Sequence, residues 1–155
     1  MASDGLYWED VSEGTEISHI SFELTMKRLI MAVCGTRDFY PVHHDRDFAR
    51  NSGHKDIFVN QMFLQGFLGR CLTDWTGPEG RLRKLSIAMI VPNYLGDTIT
   101  ASGRVTKKYI KNGEHRADCE LVVTKQDGTV TVNSHATVAL PSKKIVHCSA
   151  ASPVL

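Results

Sequence analysis

The chain has 155 residues, 42% hydrophobic and 23% charged, with 18 Lys and Arg against 17 Asp and Glu for a formal charge of +1. That is one domain's length and a globular composition, enough to bury roughly two-thirds of the unfolded surface without metals or disulfides. A near-neutral balance supplies no broad field for nucleic acid or anionic lipid, and no apolar run reaches the ~18 residues of a bilayer span, so neither partner is expected.

The four cysteines, Cys34, Cys71, Cys119 and Cys148, are scattered, with no CxxC pair or zinc-ligand cluster, so they read as reduced thiols and no metal site is expected. The first residues lack a basic stretch followed by an apolar one, which predicts a cytoplasmic protein. With no repeat or Pro/Gly-rich linker, the organisation reads as a single domain over residues 1–140 and a loosely held C-terminal tail over 141–155.

In chain order, residues 17–25 are short and β-prone, and residues 26–35 read as a helix with Leu29, Ile30, Ala32 and Val33 apolar. A loop follows that carries Pro41 and two adjacent histidines. Residues 45–50 suit a short helix with an acidic start, Asp45 serving as its cap. The most informative helix covers residues 60–75, where Leu64, Phe67, Leu68, Cys71, Leu72 and Trp75 recur at helical spacing. Met62 and Phe63 widen its apolar surface, so it is expected to be covered on most sides. Gly66 and Gly69 each cost ~1 kcal/mol of helix propensity, tolerable where another backbone approaches closely.

After Gly77-Pro78 the period becomes two. Ile99, Ala101, Val105 and Tyr109 alternate with Thr98, Thr100, Ser102, Arg104 and Lys108; Ala117, Cys119, Leu121 and Val123 form a second inward set, and Val130, Val132, Ala136, Val138 and Leu140 a third. Asn112-Gly113 and Asp127-Gly128 between these runs predict two tight hairpins. Residues 82–91 are apolar at both parities and are expected where both sheet faces are covered. Helices first and strands second predict an α+β fold, and one long buried helix beside a sheet long enough to wrap it is the hot-dog arrangement.

The chemistry concentrates in Thr36-Arg37-Asp38-Phe39-Tyr40-Pro41-Val42-His43-His44-Asp45. Pro41 holds Tyr40 extended and stiffens the loop between Asp38 and His43, and two titratable groups at a fixed separation can share one water, as a hydratase needs. A metal at His43-His44-Asp45 is the weaker reading, because adjacent residues rarely point at one ion. Lys107, Lys108 and Lys111 read as a solvated strand end, and His54 as exposed.

Three stretches carry a resemblance. Asp38-Phe39-Tyr40-Pro41-Val42-His43-His44-Asp45 with Phe48-Ala49 resembles the MaoC-like hydratase signature D-x-N-P-[IV]-H-x-D; Tyr7-Trp8-Glu9-Asp10-Val11-Ser12-Glu13-Gly14 is similar to that family's Y-F-E-D-x-x-x-G; and Val91-Pro92-Asn93-Tyr94-Leu95-Gly96-Asp97-Thr98-Ile99 resembles its V-P-V-x-x-G-D-T-L. The resemblance implies a hot-dog enzyme that adds water syn to a trans-2-enoyl-CoA to give a (3R)-3-hydroxyacyl-CoA, or the reverse. It implies Asp38 and His43 as the catalytic dyad, the Gln61 N–H as the oxyanion donor at the start of the central helix, and Asn60 and Tyr40 around the substrate. Coenzyme A enters as part of the substrate, with no separate cofactor.

The chain departs from the family at Tyr40, where an Asn is usual, at Arg37, where a Gly is common, and at Asn60-Gln61-Met62, where His-Gly-Met is usual. A narrower resemblance fits these departures: Thr36-Arg37-Asp38-Phe39, Val42-His43-His44-Asp45-Arg46-Asp47, Lys55-Asp56-Ile57-Phe58-Val59-Asn60 and Thr73-Asp74-Trp75-Thr76-Gly77-Pro78 resemble the small MaoC-like subunit of heteromeric steroid side-chain hydratases. That narrower resemblance implies a bulky thioester and a second, different MaoC-like subunit; the open side and edge strands of a hot-dog sheet by themselves predict pairing of two such domains, as homodimer or heteromer. Thioester hydrolysis, and a non-catalytic subunit shaping a partner's pocket, are the alternatives.

Overall fold

The computed structural model describes residues 5–143; the rest of the expected tail, with Cys148, lies outside the described residues. A 3-10 turn at Trp8–Asp10 precedes strand β1 (Glu16–Glu23), helix α1 (Met26–Thr36), a 3-10 turn at Pro41–His43, helix α2 (Arg46–Asn51), helix α3 (Gln61–Thr76) and strands β2 (Arg81–Met89), β3 (Thr98–Lys111), β4 (Glu114–Lys125) and β5 (Val130–Leu140). The five strands form one antiparallel sheet in the order β1-β3-β4-β5-β2.

Local chemistry sets the element ends. Thr25 caps α1 through a hydrogen bond from the Arg28 N–H, and Asp45 caps α2 through one from the Phe48 N–H. Between β3 and β4 the chain reverses at Asn112 and Gly113, both with positive φ (53° and 76°), the conformation that a two-residue hairpin requires. Gly128, with φ 84°, turns β4 into β5.

The sheet wraps α3. Leu64, Leu68, Cys71 and Leu72 are fully buried and Phe67 nearly so, against Ile99, Ala101, Leu121, Val123 and Val132 from the sheet. The Cys71 thiol donates to the Ser18 carbonyl at 3.4 Å. A long helix clasped by one curved antiparallel sheet is the hot-dog fold.

Three β-bulges change the strand reading, because one extra residue moves the following side chains to the other face. In β2 the irregularity falls between Leu82 and Lys84, so Leu82 stands opposite Val138 while Leu85, Ile87 and Met89 stand opposite Ala136, Ser134 and Val132, all on the helix side. Apolar residues at both parities in β2 therefore reflect one inward face interrupted by a bulge, and the expectation that both faces are covered is corrected. The strand is a sheet edge, paired to β5 alone, and Leu82 and Met89 are exposed.

In β3 the irregularity between Val105 and Lys107 exchanges Lys108 and Tyr109. Lys108 stands opposite the buried Ala117, and its ammonium donates to the Trp8 and Val11 carbonyls, tying down the N-terminal segment. Tyr109 turns outward and donates to Asp118 at 3.0 Å. In β5 the irregularity leaves Val130 opposite Thr124 and exposed, not inward with Val132.

Helix α3 is covered on one side only. Gln61, Met62, Gln65, Gly66, Arg70, Thr73 and Asp74 are exposed. A Cβ built on Gly66 meets nothing within 4 Å, and one on Gly69 meets only the Leu82 side chain at 3.8 Å, so no backbone crosses the helix at either glycine. The close approach expected there is absent among the described residues.

Truncating Leu68 leaves a cavity on all sides, whereas Leu82 is already 36% exposed. Leu68→Ala is expected to lower unfolding free energy by ~3 kcal/mol and Leu82→Ala by less than ~1 kcal/mol, read from urea titrations of each variant.

Candidate active site

The loop after α1 begins with a backbone that few residues adopt. Arg37, at the helix C-cap, has φ 58° and ψ 26°, the left-handed conformation usually given to Gly or Asn. It turns the chain outward into Asp38. Tyr40 is extended (φ −64°, ψ 128°), as the following proline demands, and residues 41–43 then form a 3-10 turn closed by hydrogen bonds from His44 and Asp45 N–H to the Pro41 carbonyl. Val42 is buried and anchors this turn to the core.

The turn delivers His43 inward, 8% exposed. Its Nδ1 lies 2.8 Å from the Phe58 carbonyl oxygen. A carbonyl only accepts, so Nδ1 carries the proton and donates, and in a neutral ring the lone pair then falls on Nε2. Nε2 lies 3.4 Å from Asp38 Oδ2, on a side chain that is 27% exposed. The ring rests edge-on against Phe58, with centroids 5.0 Å apart. One lone pair, one carboxylate and an opening to solvent thus converge on a single point, a geometry that can bind and deprotonate water.

The other residues expected at the site take different positions. Asn60 is 2% exposed, and both ends of its amide are engaged within the fold: Oδ1 accepts the Phe63 N–H at 2.9 Å and caps α3, and Nδ2 donates to Thr36 Oγ1 at 2.6 Å. Thr36 in turn donates to the Ala32 carbonyl. Asn60 therefore staples the start of α3 to the end of α1, with one amide N–H and one oxygen lone pair used in doing so. Gln61 is the first residue of α3, and with the Phe63 N–H taken by the cap, the Gln61 and Met62 N–H groups stand at the positive end of the helix without an intrahelical acceptor.

Tyr40 is 58% exposed, with its ring edge-on to Phe48 at 5.9 Å. Phe39, Met62 and, on α1, Met26, Ile30 and Met31 are exposed apolar side chains. A concavity of about 560 Å3 lined by His19, Ser102, Arg104 and Glu120 opens on the opposite face of the sheet, and no residue of the Asp38 loop lines it.

His54, read as an exposed residue, is half-buried: its ring lies tilted against Phe58 with centroids 4.5 Å apart, and its Nδ1 lies 3.5 Å from the Tyr94 hydroxyl. It belongs to the aromatic wall behind His43. The Phe58 carbonyl and Thr36 escaped sequence reasoning, because a backbone acceptor leaves no trace in residue identity. Burial pushes the Cys71 thiol up to about 11 and the Cys119 thiol up to about 12, so both stay neutral and unreactive. Among the described residues no three His, Cys, Asp or Glu side chains converge as a metal would require, and no helix is long and apolar enough to cross a membrane.

Asp56 steadies the segment that carries the Phe58 carbonyl. Arg46 grips its carboxylate through two hydrogen bonds at 2.9 and 2.7 Å, and the Ile57 N–H donates to it at 2.8 Å. The Arg46 hydrogen bonds, more than any other contact, hold the Asp56 carboxyl at about 2.

No family sequence model matches the chain. It is 38% identical over 112 residues, 72% of this chain and 80% of the relative, to the 3-oxo-4,17-pregnadiene-20-carboxyl-CoA hydratase beta subunit of Mycobacterium tuberculosis. Among solved structures, the ChsH1-ChsH2 complex from M. tuberculosis matches with TM-score 0.75 and 31% identity over 83% of this chain and 98% of that one. The (R)-hydratase PhaJ1 of Pseudomonas aeruginosa shares the fold, with TM-score 0.81 and 20% identity over 97% of this chain and 96% of that one.

A folded-state value for Asp56 of about 2, below the usual carboxylate value near ~4, means that its contribution to stability is complete above ~4 and is lost as pH falls from there towards about 2. Wild-type protein is expected to be more stable than Asp56→Asn at pH 6, with the gap closing steadily below ~4; urea midpoints of both proteins across that range check it.

Proposed function

The chain belongs to the MaoC-like hydratase/dehydratase family, and on that premise we propose that it reversibly adds water to a trans-2-enoyl-CoA. The similarity to a steroid side-chain hydratase subunit points to a bulky steroid thioester as substrate. The observation that carries the proposal is the orientation of His43: Nδ1 anchored at 2.8 Å on the Phe58 carbonyl and Nε2 turned to Asp38 at 3.4 Å.

In the forward direction, His43 Nε2 and Asp38 hold one water. Its oxygen bonds to C3 of the enoyl group, the C2–C3 π pair moves through C2 towards the thioester carbonyl, and the oxygen takes the charge. The water gives one proton to the dyad, and the dyad returns one to C2 on the same face, which yields the 3-hydroxyacyl-CoA. The Gln61 N–H donates to the oxyanion, where the helix dipole adds to the hydrogen bond. Asn60 acts through Gln61, by fixing where the helix starts, and Tyr40 forms part of the wall of the acyl site.

Coenzyme A is supplied as part of the substrate, no further cofactor takes part, and the reaction is assigned to the cytoplasm. The exposed apolar residues on α1, at Phe39 and Tyr40 and at Met62 are assigned to a second MaoC-like chain that closes the site. A pair of acid–base groups facing one water favours hydration over thioester cleavage.

The assay is loss of enoyl-thioester absorbance with short-chain, long-chain and steroidal trans-2-enoyl-CoA, for the chain alone and with a second MaoC-like chain of the same organism. Asp38→Ala and His43→Ala are each expected to lower turnover at least ~100-fold. Release of free thiol without loss of the enoyl group would assign a thioesterase, and wild-type turnover in both variants would assign a structural role to the loop.

A further inference from the structure

The third stretch of the resemblance, residues 91–99, holds no group seen to touch the Asp38 and His43 pair, yet it supplies the acidic half of a largely buried ion pair. Lys125, at the end of β4, reaches Asp97 with Nζ 2.8 Å from Oδ2, and the two side chains are only 11% and 8% exposed. The same oxygen accepts the Tyr94 N–H at 2.8 Å, and the Asp97 N–H donates back to the Tyr94 carbonyl at 3.0 Å. One carboxylate thus closes a four-residue turn and fastens it to the sheet.

That turn bonds outward in two directions. Towards residues 57–60 it contributes the Leu95 N–H to the Ile57 carbonyl, and next to it the Asn93 carbonyl accepts the Val59 N–H, each at 3.0 Å. These two bonds bracket Phe58, whose carbonyl holds His43 Nδ1. Towards the start of α1, the Gly96 N–H donates to the Leu24 carbonyl and the Leu24 N–H to the Asp97 carbonyl. A parallel route runs through rings: the Lys125 ammonium lies 5.2 Å from the Tyr94 ring, Tyr94 meets Phe58 edge-on at 6.0 Å, and Phe58 meets His43 at 5.0 Å.

We propose that Asp97 and Lys125 are positioning residues for His43, holding the Phe58 carbonyl where it selects the Nδ1–H tautomer and aims Nε2 at Asp38. Desolvating two charges offsets most of their mutual attraction, so such a pair adds little net stability. Its effect is on geometry: without it, the turn retains its backbone bonds but loses its anchor to β4, and the 2.8 Å acceptor of His43 moves with it. A shift of ~1 Å at a group that orients a catalytic base is enough to lower turnover by one to two orders of magnitude.

The turnover part of this inference rests on the hydratase reading; the tautomer part does not. The test uses the full chain with Asp97→Asn, which keeps the size and an acceptor for Tyr94, with Lys125→Met, and with the double variant, which leaves no buried charge unpaired. The His43 tautomer is read from imidazole 15N chemical shifts, and kcat and KM from enoyl-CoA hydration in the active assembly.

Both single variants are expected to lose the uniform Nδ1–H state of His43 and to lower kcat ~10-fold with KM nearly unchanged, and Lys125→Arg is expected to restore both readouts. The double variant is expected to fold as well as wild type while keeping the defect. A double variant with the wild-type tautomer and wild-type kcat overturns the proposal. If the wild-type protein hydrates no thioester, the hydratase reading falls while the tautomer measurement still decides the role of the pair.

Discussion

Residues 57–60 are the constraint on which the site depends. They are extended, flanked on one side by Val42 and His43 and on the other by residues 93–95, and they end in the buried cap of α3. Every group of chemical interest is referred to them. His43 is oriented by the Phe58 carbonyl, α3 starts where Asn60 caps it, and α1, whose end leads into Asp38, is stapled to Asn60 through Thr36. Three separately folded pieces of chain thereby share one frame, and the short distance between Asp38 and His43 is a property of that frame more than of the loop carrying them.

Electrostatics reinforce the frame from both ends. At its start Asp56 is gripped by Arg46 and Arg50, and beneath it Asp97 is paired with Lys125. The two pairs differ in environment: Arg46 and Arg50 are about half exposed, so their contribution is screened by solvent, whereas Lys125 and Asp97 are buried and little affected by salt. The first pair chiefly restrains where α2 meets the segment. The second, being dry, is sensitive to geometry and stiff, which suits a part whose displacement would reach the His43 ring.

Much of this was legible in the sequence, and what was not has identifiable causes. Helical periodicity located α1 and α3, and Asn112-Gly113 and Asp127-Gly128 located both hairpins, because these signals are local. Bulges misled the reading of β2 as covered on both faces and the assignment of inward residues at Lys108, Tyr109 and Val130, since a bulge depends on the partner strand. Asp38 and His43 could be singled out because a stiffened loop keeps titratable groups close. The stapling role of Asn60 was not legible, because nothing in its own neighbourhood reveals Thr36 twenty-four residues earlier. His54 was misread for the same reason, its partners Phe58 and Tyr94 being brought together by the fold.

The departures from the family signature divide along the same line. Arg37 and Asn60 are accommodated within this chain, one as a left-handed C-cap and the other as a satisfied buried cap. Tyr40 and Gln61 are not: both side chains are exposed, beside Phe39 and Met62, on the side of α3 where Gly66 faces open space. Within this chain Asp38 and His43 are fixed against each other by the fold, whereas Tyr40 and Gln61 stand on a face that the described residues leave open. Large residues at Tyr40 and Gln61, where the family signature has smaller or different ones, take up space on this side of α3. Under the proposed function, the room for a bulky thioester then comes from the second chain assigned to this face, which makes that chain, more than any residue of this one, the determinant of which thioester fits.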